Sequence, residues 1–299
     1  GYTLDKIINK LPKSLIYEGT NTTINEKVLI KVYNKELVKY KNEEILKINN
    51  EIFLLQLINH KNVLQLYEII ESPTFIFIIL EYFNGIKLTE YIKANGKTKE
   101  DKAIKIFAQI LSIVSYIHDI NICHLNLNPD IFLIDNQNNI KLCDFFYGEI
   151  YSKANKNTNY DEELTNKYSC PEIHCKKPYN PEQADIWSLG VVLYYILMAE
   201  LPFNAVNKYD LMQSILKAEI ELPKNLPLNW QLMLRCLIET KESKRYKLKY
   251  IFMAPLFKEY ILYKSQIENG LFVPINDELI NICEEYYGIN KEKLINDLK

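Results

Sequence analysis

The sequence lacks the features that mark several whole classes of protein. None of its six cysteines (Cys123, Cys143, Cys170, Cys175, Cys236 and Cys283) falls in a CxxC pair. That argues against zinc sites and a disulfide framework, and for scattered thiols in a reducing compartment. No run reaches the roughly 18 apolar residues of a membrane span, and no apolar leader opens the chain. The most apolar stretch, Trp187 to Met198, is too short and is bounded by Asp185 and Pro202. An excess of one charge is missing as well. The 36 basic and 38 acidic residues are mixed along the chain and leave a net charge of −2, so there is no electrostatic case for nucleic acid or an anionic membrane. The expectation is an intracellular protein of cytoplasm or nucleus. Starting at Gly1 without a methionine, it reads as a fragment or a processed chain.

What is present is an ordinary globular composition, 48% hydrophobic and 25% charged over 299 residues. That length suits one large two-lobed domain with a short extra module. Residues 28–33 and 75–80 are short β-branched and aromatic runs, which predict strands. Between them, Ile45, Ile48, Ile52, Leu55 and Ile58 recur at three- and four-residue spacing, which predicts one helix within 35–58. Beyond about Leu88 the pattern is helical. A helix over 99–118 buries Ile106, Ile110, Val114 and Ile117, and a helix over 182–199 is apolar nearly all round, as at the centre of a large lobe. A β-rich first third followed by helices is an α+β arrangement. The polar residues 151–167 read as a solvated loop. Two short helices are expected at 277–286 and 290–298, with Gly288 between them and Asn290 as a cap.

Several motifs occur in order. His124-Leu-Asn-Leu-Asn-Pro-Asp-Ile-Phe-Leu-Ile134 is followed by Cys143-Asp-Phe-Phe146, Cys170-Pro-Glu172, Asp185-Ile-Trp-Ser-Leu-Gly190 and Arg245; upstream lie Leu29-Ile-Lys31 and Glu51-Ile-Phe-Leu-Leu55. Each is weak alone, but the ordered set resembles the Ser/Thr protein kinases. Phe75 to Tyr82, Ala199-Glu-Leu-Pro-Phe203, Val191-Val-Leu-Tyr and the tail from Asn276 further resemble the catalytic subunit of AMP-activated protein kinase and its sucrose-non-fermenting relatives. The resemblance implies a β-rich lobe at 1–82, a helical lobe at 83–258, a linker at 259–275 and a ubiquitin-associated-like helical segment at 276–299. It implies regulatory β- and γ-type subunits too, though the chain stops before the region expected to bind them.

The same resemblance locates what is lost. The three glycine positions of the phosphate loop are Asn9, Leu11 and Ser14, and side chains there obstruct the approach of backbone N–H groups to phosphate. The catalytic aspartate is replaced by Asn126, too weak a base to take a proton. The phosphate-stabilising lysine is Asn128, and the second metal ligand is Ile131, which offers no oxygen to a hard cation. Leu29 replaces the small residue over the adenine, and Phe146 the glycine after the metal-binding Asp144. Lys31, Glu51, Glu81, Tyr82 and Asp144 remain as the candidate lining of an ATP cleft, with Asp144 the candidate magnesium ligand. Lys31–Glu51 and Glu172–Arg245 are expected as ion pairs, Asp185 as the brace of the catalytic loop, and His124, Phe145 and Leu55 as a spine. Asp161 falls near the activating threonine position, but the arginine that would read a phosphate is Leu125, so an acidic, solvated loop is expected there. The expectation is a pseudokinase that acts by binding protein partners and requires no cofactor. Residual ATP-dependent transfer, or ATP sensing without transfer, are the alternatives.

Overall fold

The computed structural model describes residues 1–38, 42–151, 161–252, 254 and 257. The expected linker, the ubiquitin-associated-like segment and Cys283 lie outside the described residues.

The first lobe is an antiparallel sheet of β1 (Tyr2–Lys10), β2 (Leu15–Asn21), β3 (Glu26–Asn34), β4 (Leu66–Glu71) and β5 (Phe75–Glu81), in the order β1-β2-β3-β5-β4. Side chains alternate across a strand. The central β3 therefore sends Leu29, Lys31 and Tyr33 to one face, while Val28 and Ile30 join Ile79 of β5 in a separate small cluster on the other. In register, Lys31 lies between Ile16 and Ile78, both without solvent exposure, so its stem crosses a dry layer.

Within the range 35–58 expected to be helical, the described residues form α1 (Lys35–Val38) and α2 (Asn42–Leu57), and residues 39–41 lie outside the described residues. Each has local features at its first turn. Asn34 Oδ1 accepts from the Glu36 N–H (2.9 Å), whereas Glu43 and Glu44 place negative charge in the first turn of α2. Ile48, Leu54 and Leu55 of α2 pack into the main core beneath the sheet.

The second lobe begins with β6 (Ile86–Lys87), α3 (Leu88–Asn95) and α4 (Glu100–Asp119), whose Ile106, Ile110, Val114 and Ile117 are fully buried as their spacing predicts. The short strands β7 (Ile122–Cys123), β8 (Phe132–Ile134), β9 (Ile140–Leu142) and β10 (Glu149–Ile150) pair as β6-β8-β9 and β7-β10 and hold the loops of the cleft. The helices α5 (Pro171–His174), α6 (Pro181–Met198), α7 (Lys208–Lys217), α8 (Leu228–Leu237) and α9 (Leu248–Phe252) complete the lobe.

α6 is its axis. Asn180 caps it by accepting from the Gln183 N–H, Pro181 sits in its first turn, and every residue except Glu182 is buried. Gly190 lets α8 approach: a Cβ there would stand 2.7 Å from Ile238 Cγ1 and 2.8 Å from Leu237 Cβ. No helix of the described residues is long and apolar enough to cross a membrane.

Candidate active site

The site lies where β3, α2 and the two loops after β7 and β9 converge. Lys31 is wholly buried, and its ammonium ion-pairs with both Glu51 Oε1 and Asp144 Oδ1. Tyr33, two residues along on the same face, donates its hydroxyl to Glu51 Oε2, and the Phe145 N–H donates to Glu51 Oε1 at 2.8 Å. Burial, the largest single influence, works against the Lys31 charge, but Asp144 and Glu51 together hold its pKa well above the ordinary lysine range. Burial and the neighbouring Asp144 push the Glu51 carboxyl up, and Lys31 opposes that push. Burial likewise raises the Tyr33 hydroxyl, so it stays a donor. Asp144 is a buried carboxylate and not a surface one. It is 4% exposed and bonded to Lys31.

Below the ion pairs lies the loop His124 to Ile131. Asp185 braces it from α6, accepting from the His124 and Leu125 N–H groups at 2.8 Å each and meeting His118 Nε2 at 2.8 Å. These bonds hold Leu125 at φ 65°, a left-handed conformation that costs a non-glycine residue energy. His118, Cys123 and Asp185 form a trio of metal-ligand types, but the Asp185 oxygens are already taken by donors and burial pushes the Cys123 thiol well up. The trio is therefore a hydrogen-bonded post.

Of the three substituted positions, Asn126 and Asn128 are half-buried and Ile131 is buried. Asn126 Oδ1 accepts from Asn166 Nδ2 at 3.2 Å. Asn128 caps its own turn, with Oδ1 accepting from the Asp130 N–H (2.9 Å) and Nδ2 donating to the Asn126 carbonyl (2.8 Å). Ile131 is 2% exposed and sits in the core. From the opposite lobe, Asn9 crosses the cleft: its Nδ2 donates to the Asp130 carbonyl at 3.1 Å and lies 3.8 Å from Cys143 Sγ. Leu11 and Leu29 are buried, and the Leu11 N–H is spent on the Ser14 carbonyl at 2.9 Å.

Residues 12–257 match the protein kinase domain. The chain belongs to that family. It is 34% identical over 212 residues to the probable serine/threonine-protein kinase HSL1 of Saccharomyces cerevisiae, covering 70% of this chain and 14% of that protein. It is 31% identical over 266 residues to CBL-interacting serine/threonine-protein kinase 16 of Arabidopsis thaliana, covering 86% of this chain and 57% of the relative. Against serine/threonine-protein kinase SIK1 of Rattus norvegicus it is 33% identical over 192 residues, covering 64% and 24%. The matches thus span from about a seventh to a little over half of these relatives' lengths. They place the chain as a distant relative of Ser/Thr kinases of the AMP-activated kind.

The kinase-domain ion pairs lie as follows. Arg245 Nη2 meets both Glu172 oxygens at 3.0 and 3.2 Å, donates from Nη1 to the Gln183 carbonyl and stacks on Trp187. His124 and Phe145 have ring centroids 5.2 Å apart, and Leu55 lies in the same core. Burial lowers the His124 pKa, and its Nε2 is set on the Asp144 carbonyl at 2.7 Å. Glu81 and Tyr82 are engaged elsewhere: Glu81 ion-pairs with Lys141, and the Tyr82 ring lies under Lys27 at 5.1 Å. Phe146 is buried and stacks on Tyr33, with centroids 6.1 Å apart.

The expected solvated loop is described at Tyr151, which is buried, and at 161–167, where a 3-10 turn buries Leu164, leaves Glu162 and Glu163 exposed and sets Asp161 2.7 Å from Lys47 of α2. Residues 152–160 lie outside the described residues. Sequence reasoning also missed Asn9 as a donor and Tyr33 as a partner of Glu51. Tyr33 was findable, since residues i and i+2 of a strand share a face. Lys47 was findable too, one turn before Glu51 on the same helix.

Proposed function

We propose that this kinase domain does not transfer phosphate and acts in signalling by binding other proteins. The observation that carries the reading is the catalytic loop: Asn126, Asn128 and Ile131 supply no base, no cation for the phosphoryl group and no second metal ligand. The amide of Asn126 is moreover tied to Asn166, and that of Asn128 to its own turn.

Magnesium and ATP are the group that a kinase domain ordinarily holds, and the residues here do not fit them. Asn9 bridges the cleft where phosphate would pass, Leu11 and Leu29 fill it with apolar volume, and Asp144 is bonded to Lys31. One observation favours a second reading, nucleotide sensing without transfer. Lys31 and Asp144, the two residues with the chemistry to engage phosphate and metal, are both retained.

The test is a thermal-shift titration with Mg–ATP and an autophosphorylation assay. Neither stabilisation nor incorporation is expected. ATP-dependent incorporation that Asp144→Ala abolishes would overturn the reading, and stabilisation without incorporation would favour the sensor.

A further inference from the structure

We propose that carboxylates of this chain's own activation segment clamp α2 and the β1–β2 loop in their closed positions, so that no phosphorylation is needed to hold them. The proposal concerns conformation, and stands whether or not the cleft transfers phosphate.

Two lysines and three acids form the clamp. Lys47 Nζ on α2 meets Asp161 Oδ2 at 2.7 Å and Glu163 Oε2 at 3.1 Å. Lys13, at the tip of the β1–β2 loop, meets Glu44 Oε1 of α2 at 2.5 Å and Glu163 Oε1 at 3.1 Å. Glu163 therefore bridges both lysines, and Lys13 bridges loop, helix and segment. The charges are partly shielded from water: the side chains of Lys13 and Lys47 are 23% and 26% exposed, and that of Glu44 is 7% exposed. Lys47 also lies over the Tyr147 ring at 4.9 Å.

The turn at 162–164 aims the acids. Asp161 Oδ1 accepts from the Glu163 N–H at 2.9 Å, and Leu164 is anchored in the core, which sets Asp161 and Glu163 toward α2. Glu162, between them, is exposed and joins no ion pair among the described residues.

α2 packs on the core along its other side, through Ile45 and Ile48. Between the exposed side of α2 and the segment lies a hollow of about 280 Å³, walled by Phe53, Phe146, Ile150 and Leu164, with Lys47 and Asp161 at its edge. The outer side of the first half of α2 is thus tied to the segment across a gap by charge, while Ile48 and Glu51 fix the helix in the core. Ion pairs of partial exposure are individually weak, but a network that shares a bridging carboxylate restrains several elements at once.

Hydrogen exchange on the full chain tests the clamp. In an Asp161→Asn/Glu163→Gln double variant, amides of 9–16 and 42–50 are expected to exchange on the order of threefold to tenfold faster, with α6 unchanged. Glu162→Gln removes the same kind of charge next door and is expected to change nothing. Unchanged exchange in the double variant, or an equal rise in Glu162→Gln, overturns the proposal. If exchange rises throughout the double variant, salt dependence decides. The clamp requires that about 1 M NaCl speed exchange of these segments in the wild type and not in the variant; equal acceleration in both overturns it.

Discussion

Replacing Lys31 with methionine tests what this lysine is for. If it served only a nucleotide, its loss would leave the fold intact. Among the described residues it is the cation bonded to Glu51 and Asp144, whose side chains are 0% and 6% exposed. Removing one partner of a buried pair typically costs about 3–5 kcal/mol, because a charge is stranded. A second route gives a similar figure. The stranded carboxylate can escape by taking a proton, which from an ordinary pKa near 4.3 to pH 7 costs roughly 3.7 kcal/mol at 1.36 kcal/mol per unit. Tyr33 and the Phe145 N–H still satisfy Glu51, which keeps the total near the lower end. Lys31→Met is therefore expected to lose about 3–4 kcal/mol in urea unfolding at pH 7, or roughly 6–12 °C in Tm. The sign with pH follows. In the variant the buried carboxylates hold protons that the unfolded chain releases, so the deficit grows as pH rises above about 4 and shrinks in acid. A variant within 1 kcal/mol of wild type at pH 7 would refute the structural role.

Three further outcomes are expected. Arg245→Lys keeps the charge but loses the paired contact with Glu172 and the bond to the Gln183 carbonyl, and should cost roughly 2–4 kcal/mol in the same assay. Burial, helped by Lys61 and Lys141, lowers the His60 pKa to about 3. Stability should be complete above the unfolded value near 6.5 and fall as pH drops toward 3, by roughly 2–3 kcal/mol at pH 4.5, and His60→Gln should flatten that slope. Asn9→Gly removes the bridge over Cys143, which is 3% exposed, so alkylation of Cys143 read by peptide mass spectrometry should quicken by about tenfold or more.

The sequence pattern was most informative where local chemistry decides structure. The α6 run needed only its unbroken apolar character and Asn180-Pro181 start, and α4 only its spacing. For α2 the apolar periodicity through 45–58 was sufficient. At the site, the order of motifs placed Lys31, Glu51 and Asp144 together. It did not show that Asp144 turns back onto Lys31, because a sequence names ligands and not which of them satisfy one another. The ion pairs of Asp161 and Glu163 were invisible for the same reason. Their partners lie on α2 and on the β1–β2 loop, more than a hundred residues away in the chain.

The retained ion pairs and the missing chemistry have one physical account. A buried ammonium needs compensating anions, and a working kinase domain can share that duty among a glutamate, phosphate and metal-bound aspartate. Here Glu51 and Asp144 compensate Lys31 without any ligand, and Tyr33 and the Phe145 N–H complete the Glu51 shell. On the proposed reading, a nucleotide would have to break Lys31–Asp144 and displace the Asn9 bridge before gaining a contact. Those costs subtract directly from its affinity, since a ligand that binds only the opened state is weakened by the fraction of molecules in that state. Residues that look like surviving catalytic groups are thus also the ones that satisfy one another in the core. Retention of Lys31 and Asp144 on its own is therefore weak support for nucleotide binding.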